Sequence, residues 1–247
     1  GLTYAIVTDD PGTGTQFAVS GTTLTIAAQN FESPACGAGS DSLTCVVIVS
    51  ATDAASQSVQ QTITVTITDV NDEAPVFTSS ATANVAEGAT AVVTLTATDA
   101  DAADSSVTFA ISTDDAGSGT QFALSGSTLT IAAQDYENPG CGAGSDSLIC
   151  TVIVTATDAA STVTSQTITV TITDVNDQTP AFTSSNAISV AEGATAVVTL
   201  AAADTDTADS GGLTYAIVTD DPGTGTQFAV SGTTLTIAAQ NFESPAC

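Results

Sequence analysis

An exact internal repeat constrains this chain more than any other feature: residues 1–36 recur without one change as residues 212–247. A looser repeat lies inside it, in which Glu32, Asp53 and Asp69 return as Glu137, Asp158 and Asp174. The spacing is roughly 105 residues, the length of one β-sandwich domain, and self-similarity at a fixed period is the mark of a tandem array. The period predicts a partial copy over 1–74 without its opening strands, a complete copy over 75–179, and a partial copy over 180–247 without its closing strands. The sequence is then a window on a longer periodic polypeptide. The rival reading is a filament of separate subunits that complete one another's sandwiches by strand donation.

Within the complete copy the hydrophobic pattern has period two. Val93-Thr94-Leu95-Thr96-Ala97-Thr98 puts apolar residues on one face and threonine on the other, and Ile168, Val170 and Ile172 alternate with threonine over Thr167–Thr173. Further strands are expected at Ala83–Ala86, Val107–Ser112, Gln121–Leu124, Thr128–Ala132 and Leu148–Thr157, with a leading strand near Ala187–Ala191 in the third copy. Turn residues separate them, as in Leu124-Ser125-Gly126-Ser127, and no segment carries a helical stripe. The expected fold is all-β: tandem seven-stranded antiparallel Greek-key β-sandwiches in a linear array.

Composition then narrows function. The 27 acidic residues face no Lys, Arg or His, so side-chain ion pairs cannot form. Each carboxylate must be solvated, bonded to backbone N–H or bound to a metal. Nothing can neutralise a phosphate, which excludes nucleic acid and anionic lipid as electrostatic partners. Without His or Lys there is no activated serine and no Schiff base. Carboxylate pairs of the glycosidase kind remain, but aromatics are 4% with no Trp, so sugar platforms are scarce and no enzyme is expected. No apolar run approaches the roughly 20 residues that span a bilayer, so no membrane insertion is expected within these residues.

Cys36 and Cys45, and again Cys141 and Cys150, bracket the loop Cys-Gly-Ala-Gly-Ser-Asp-Ser-Leu-x-Cys. A disulfide closing this loop is the simpler reading. Zinc, the alternative, ordinarily takes four nitrogen or sulfur ligands at closer spacing, and no His is present. Paired cysteines imply an oxidising compartment, and so an extracellular or cell-surface protein. Cys247 has no second cysteine nine residues on.

The acidic residues gather where strands are expected to end. Thr-Asp-Val-Asn-Asp-Glu-Ala-Pro-Val-Phe (68–77) returns as Thr-Asp-Val-Asn-Asp-Gln-Thr-Pro-Ala-Phe (173–182), between the last strand of one copy and the first of the next. Four more motifs recur: Ala-Glu-Gly at Glu87 and Glu192, Asp-x-Asp at Asp99/Asp101 and Asp204/Asp206, Asn-Phe-Glu or Asp-Tyr-Glu at Glu32 and Glu137, and Ala-Thr-Asp at Asp53 and Asp158.

These five motifs, in this order over the whole chain, resemble the cadherin repeat. The resemblance implies calcium ions at each junction between consecutive domains. At the second junction it implies Glu87, Asp135, Glu137, Asp174, Asn176 and Asp177 from the complete copy, met by Asp204 and Asp206. At the first it implies Glu32, Asp69, Asn71 and Asp72, met by Asp99, Asp101 and Asp158. Asp53 and Glu192 would serve junctions beyond each end. The chemistry agrees, since Ca²⁺ takes six to eight oxygen ligands and this chain offers carboxylates and carbonyls. Asn30 and Asn241 depart from the family's Asp, which removes one charged ligand and would weaken alternate junctions. Glu73 or Gln178 stands where the family has Asn and uses its backbone carbonyl.

Other acidic groups read differently. Asp9-Asp10, Asp114-Asp115 and Asp220-Asp221 precede glycine-rich turns and are expected to be solvated. Asp99-x-Asp101-x-x-Asp104 could open an EF-hand loop, but its twelfth position is Ala110 rather than Glu. Outward threonine rows read as β-propensity at a wet face, with dense O-glycosylation as the functional alternative. The expected function is a calcium-rigidified structural or adhesive array, of microbial type by composition. Its partners are neighbouring repeats of the same chain or fibre, or other copies of itself in homophilic adhesion.

Overall fold

The computed structural model describes residues 1–9, 15–36, 43–101, 106–114, 120–141, 148–206, 212–220, 227–241 and 243. Asp10, Asp104, Asp115, Asp221 and Cys247, singled out above, lie outside the described residues. In the first copy the strands are β1 (Thr3–Thr8), β2 (Phe17–Ser20), β3 (Thr23–Ile26), β4 (Thr44–Thr52) and β5 (Ser58–Thr66). The second copy holds β6 (Val76–Phe77), β7 (Thr82–Ala86), β8 (Ala91–Thr94), β9 (Ala97–Thr98), β10 (Thr108–Thr113), β11 (Phe122–Ser125), β12 (Thr128–Ile131), β13 (Ile149–Thr157) and β14 (Val163–Thr173). The third holds β15 (Ala181–Phe182), β16 (Ala196–Thr199), β17 (Ala202–Ala203), β18 (Phe228–Ser231) and β19 (Thr234–Ile237). No helix among the described residues is long and apolar enough to cross a membrane.

The second copy is a two-layer sandwich. One sheet runs β10-β13-β14-β7; the other runs β11-β12-β8, with the short pair β6-β9 beside it. Alternation drives the layers together: Cys150, Val152, Val154 and Ala156 of β13 point inward while Thr151 and Thr155 point out. Ile168, Val170 and Ile172 of β14 join them, and from the other sheet come Phe122, Leu129, Ile131 and nearby Leu95. Leu129 and Ile168 are fully buried, and burying each stabilises the fold by roughly 1.5–3 kcal/mol relative to exposure. The β11–β12 hairpin turns at Gly126 and Ser127, where Gly126 takes φ 60° as a tight two-residue turn requires.

The all-β sandwich array read from the sequence stands, with local differences. The strand expected over Val93–Thr98 is divided into β8 and β9, because Leu95 and Thr96 switch partners. Leu95 N–H donates to Ser127 O, whereas Thr96 O accepts from Thr78 and Ser79. One pairing is parallel rather than antiparallel: β7 lies beside β14, with Thr82 opposite Thr169 and Val85 opposite Ile172. The entering segment first pairs as β6 with β9, then crosses to the other sheet, where both β7 and β14 run toward the exit of the copy.

Copies one and three differ although they share 36 residues. Thr3–Thr8 form β1 because β4 is there to pair with them. The identical Thr214–Thr219 form no strand, and Val218 is 94% exposed where Val7 is 44% exposed. For the same reason the strand expected at Ala187–Ala191 is absent. Its counterpart β7 is held by β14, whereas among the described residues no strand lies beside 187–191.

Both predicted disulfides are present, Cys36–Cys45 and Cys141–Cys150, with Cα atoms 5.0 and 5.1 Å apart. All four cysteines are buried. Beside each bridge sits a glutamine pair that the sequence reading did not single out. Gln134 Nε2 donates to Gln121 Oε1 at 3.0 Å, and Gln134 Oε1 accepts the Gly140 N–H at 2.9 Å. Gln29–Gln16 and Gln240–Gln227 repeat the pair at 3.0 and 3.1 Å. The recurring Ala-Ala-Gln was the available signal.

Candidate metal centre

The second linker is fixed from both sides by carboxylates bonded to backbone N–H, and the first from the copy that follows it. In the second copy Glu87, at the end of β7 and 8% exposed, accepts the Tyr136 N–H at 2.7 Å through Oε2 and the Val175 N–H at 2.8 Å through Oε1. One side chain thus holds the Asp135–Glu137 loop against the 174–176 linker. From the following copy, Asp206 Oδ2 accepts the Gln178 N–H at 2.9 Å, and Asp204 Oδ1 accepts the Asp206 N–H at 3.1 Å. The first linker repeats this: Asp101 Oδ2 accepts the Glu73 N–H at 3.0 Å, and Asp99 Oδ1 accepts the Asp101 N–H at 3.1 Å.

The remaining oxygens are the informative ones. Asp101 and Asp206 are almost wholly buried, at 2% and 0% exposure. Having spent one oxygen on backbone, each turns the other inward, where Asp101 Oδ1 and Asp206 Oδ1 meet neither solvent nor a donor. The same holds for Glu32 Oε1, Asp99 Oδ2 and Asp158 Oδ2 at the first linker, and for Asp204 Oδ2 and both Glu137 oxygens at the second. Burying a carboxylate oxygen without a partner is costly. A hard divalent cation that takes six to eight oxygens is the partner this donor set fits.

Among the described residues four acidic triads come together, ligand atoms within 4.8 Å of one another. Glu32/Asp69/Asp101 and Glu32/Asp72/Glu73 lie at the first linker; Glu87/Glu137/Asp174 and Glu137/Asp177/Asp206 lie at the second. Asp99, Asp158 and Asp204 lie outside the triads but turn their second oxygen inward. Asp158 Oδ1 accepts the Thr162 N–H at 2.6 Å in the β13–β14 hairpin. Asn71 and Asn176 flank the triads as amides in the linkers. Asp53, the counterpart of Asp158, is exposed and caps its own hairpin through the Ala55 and Gln57 N–H groups.

Asp135 has a structural part: its Oδ1 accepts the N–H groups of Glu137 and Asn138 at 3.0 and 3.1 Å. Asn30 Oδ1 does the same for Glu32 and Ser33 at 2.7 and 3.1 Å, so the Asn-for-Asp exchange keeps the loop intact. The sequence reading missed the Glu73 carboxylate, which joins the first cluster. At the second linker Gln178 Nε2 instead donates to Asp177 Oδ1 at 2.7 Å. Solvation is also the wrong description of Asp9, Asp114 and Asp220. Each accepts the N–H groups that open the next hairpin, as Asp114 does for Gln121 at 2.9 Å and Phe122 at 3.2 Å.

The titration of Glu137, Asp206 and Glu32 is shifted upward. Burial is the leading cause for Glu137; the nearby N–H of its own backbone opposes the shift, and Glu87, Asp206 and Asp135 add to it. For Asp206 burial again leads, the Gln178 N–H opposes, and Asp204, Asp174 and Asp177 add. For Glu32 a backbone hydrogen bond pulls down most strongly, but desolvation together with Asp101 and Asp72 outweighs it.

Tandem sandwiches with acidic clusters at their linkers define a repeat array of the cadherin type. No family model matches the sequence, and no curated protein does. Among solved structures the chain is similar to protocadherin gamma B2 extracellular cadherin domains 3-6, at TM-score 0.61 and 19% identity over 98% of this chain. It spans 60% of that structure's length. It is similar to mouse protocadherin-24 EC1-3 at TM-score 0.62 and 19% identity, covering 98% of this chain and 78% of the other. For human CDH23 EC21-23 the values are 0.58 and 21%, with coverage of 98% and 80%. These likenesses establish the cadherin fold in tandem.

Proposed function

We propose that this chain is a calcium-rigidified structural and adhesive array, divided at 1–74, 75–179 and 180–247, and displayed outside the cell. The observation that carries the proposal is the set of buried carboxylate oxygens without donors at both linkers. Calcium would be held at the first by Glu32, Asp69, Asn71, Asp72, Asp99, Asp101 and Asp158. At the second it would be held by Glu87, Glu137, Asp174, Asn176, Asp177, Asp204 and Asp206, with Asp135 shaping the loop. The ion supplies positive charge that no side chain here can supply.

Mechanically, Asp101 and Asp206 belong to the copy after the linker, while Glu32 and Glu137 belong to the copy before it. An ion shared between them fixes two sandwiches as one body. Without it the carboxylates repel, and repulsion at short range in a partly buried site is stronger than in bulk water. The two buried disulfides support an oxidising, extracellular setting. The absence of His, Lys and Arg supports a non-enzymatic role. The test is a calcium titration of chelator-treated protein during small-angle scattering. Saturable binding with lengthening and stiffening is expected; a shape and stability indifferent to calcium would overturn the proposal.

A further inference from the structure

At each linker one residue belongs to both acidic triads: Glu32 at the first and Glu137 at the second. Glu32 Oε1 and both Glu137 oxygens are buried without a donor. A carboxylate shared between two clusters can face two cations, so a small shift of its backbone disturbs both. Each also stands in the middle of a short loop that ends at a bridged cysteine. One loop runs from Gln134 to Cys141, the other from Gln29 to Cys36.

The two ends of the second loop are joined through Gln134, which is 6% exposed. Its Oε1 accepts the Gly140 N–H and lies 3.4 Å from Cys141 Sγ. Its Nε2 donates to Gln121 Oε1 and, at 2.7 Å, to Ala132 O. Its main-chain O accepts the Gly88 N–H at 2.9 Å, next to the Glu87 carboxylate that holds Tyr136. Cys141 is tied in turn to Cys150 of β13, inside the core. The first copy repeats the closure. Gln29 Oε1 accepts the Ala35 N–H at 3.1 Å and lies 3.3 Å from Cys36 Sγ, and Gln29 Nε2 donates to Ala27 O at 2.9 Å.

We propose that each disulfide, with its glutamine, is a positioning unit for the shared glutamate. The Cys141–Cys150 bridge then sets the calcium affinity of the second linker, and the Cys36–Cys45 bridge that of the first. The inference rests on the calcium reading above. The bridge fixes Cys141 to β13, Cys141 carries the Gly140 N–H against Gln134 Oε1, and that bond closes the loop around Glu137. Asp135 Oδ1, bonded to the N–H groups of Glu137 and Asn138, shapes the loop from within. A loop held in its bound form loses less freedom when the ion arrives, and so binds it more tightly. Without the bridge the far end of the loop is released, and calcium must supply the ordering.

The test uses the full chain carrying Cys141→Ser with Cys150→Ser, and separately Cys36→Ser with Cys45→Ser. Calorimetry reads calcium at both linkers. Terbium luminescence excited through Tyr136, against a Tyr136→Phe blank, reads the second alone, since Phe31 stands at that place in the first copy. Removing the Cys141–Cys150 bridge is expected to weaken both ions at the second linker roughly 10–100-fold, as loss of a group behind a metal ligand does. The first linker should keep its native affinity. Removing the Cys36–Cys45 bridge should give the reverse pattern. Gln134→Met keeps the bridge, removes the acceptor and should give the same loss; combined with the bridge-less variant it should cost little more. Undiminished affinity without the bridge, or an equal fall at both linkers, overturns the inference. Where the bridge-less chain fails to fold, Gln134→Met decides the same point. A native chain that takes up no calcium overturns the calcium reading itself, before any variant is compared.

Discussion

Asp101 accepts the backbone N–H of Glu73, 28 residues earlier, at 3.0 Å, and so ties the linker to the copy that follows it. Asp206 and Gln178 repeat the arrangement at 2.9 Å. Each aspartate keeps one oxygen for the protein and turns the other inward.

Replacing Asp206 with Asn removes an inward carboxylate oxygen while preserving size. Calcium affinity at the second linker should fall roughly 10–100-fold. Asp135→Asn should change it far less, since Asn30 already fills the corresponding place in the first copy with the same two backbone hydrogen bonds. Calorimetric titration of each variant separates the two expectations.

The raised titration of Glu137 and Asp206 makes the calcium-stripped protein sensitive to pH. The folded chain holds protons at these sites above the ordinary values of 4.5 and 3.8, where the unfolded chain has released them. The native state then binds more protons, so stability rises as pH falls through this window and is lost as pH rises above it. With calcium the trend inverts, because protons compete with the ion. Melting curves at neutral and mildly acidic pH, with and without calcium, should cross in sign.

Reducing the Cys141–Cys150 bridge opens a loop nine residues long. The chain-entropy account puts the loss at roughly 2–3 kcal/mol. Denaturant unfolding with and without reductant should show the midpoint fall, with calcium held constant.

Gln134→Leu leaves the Gly140 N–H and the Gln121 amide without partners in a buried place. Unsatisfied buried groups of this kind cost about 1–3 kcal/mol. Because Gln134 directly precedes the Asp135–Glu137 loop, calcium binding at the second linker should weaken along with stability. Thermal melts read the first effect and calcium titration the second.

The sandwich was legible wherever a strand's own alternation determines its buried face, as in Val152/Val154 and Ile168/Val170/Ile172. The junction residues were legible because their motifs recur at one period. Pairing was not. Nothing local distinguishes Thr3–Thr8 from Thr214–Thr219, which are identical, yet only the first has β4 to bond with. Ala187–Ala191 carries a strand's pattern, and among the described residues no strand pairs with it. Asp114 was misread because its hydrogen bonds go to Gln121 and Phe122, seven and eight residues on, a relation that composition near the aspartate cannot reveal.

The parallel pairing of β7 with β14 has a consequence under tension. A pull along the array enters the second copy ahead of β7 and leaves it after β14. Because the two strands run the same way, that pull slides one past the other, straining all five residue pairs from Thr82↔Thr169 to Ala86↔Thr173 together. An antiparallel pair pulled from one end would peel a rung at a time. Forced unfolding is governed by the unfolding barrier rather than by equilibrium stability. The entry strand of the second copy is thus placed as a shear latch, and a fibre built from such units would resist stretching.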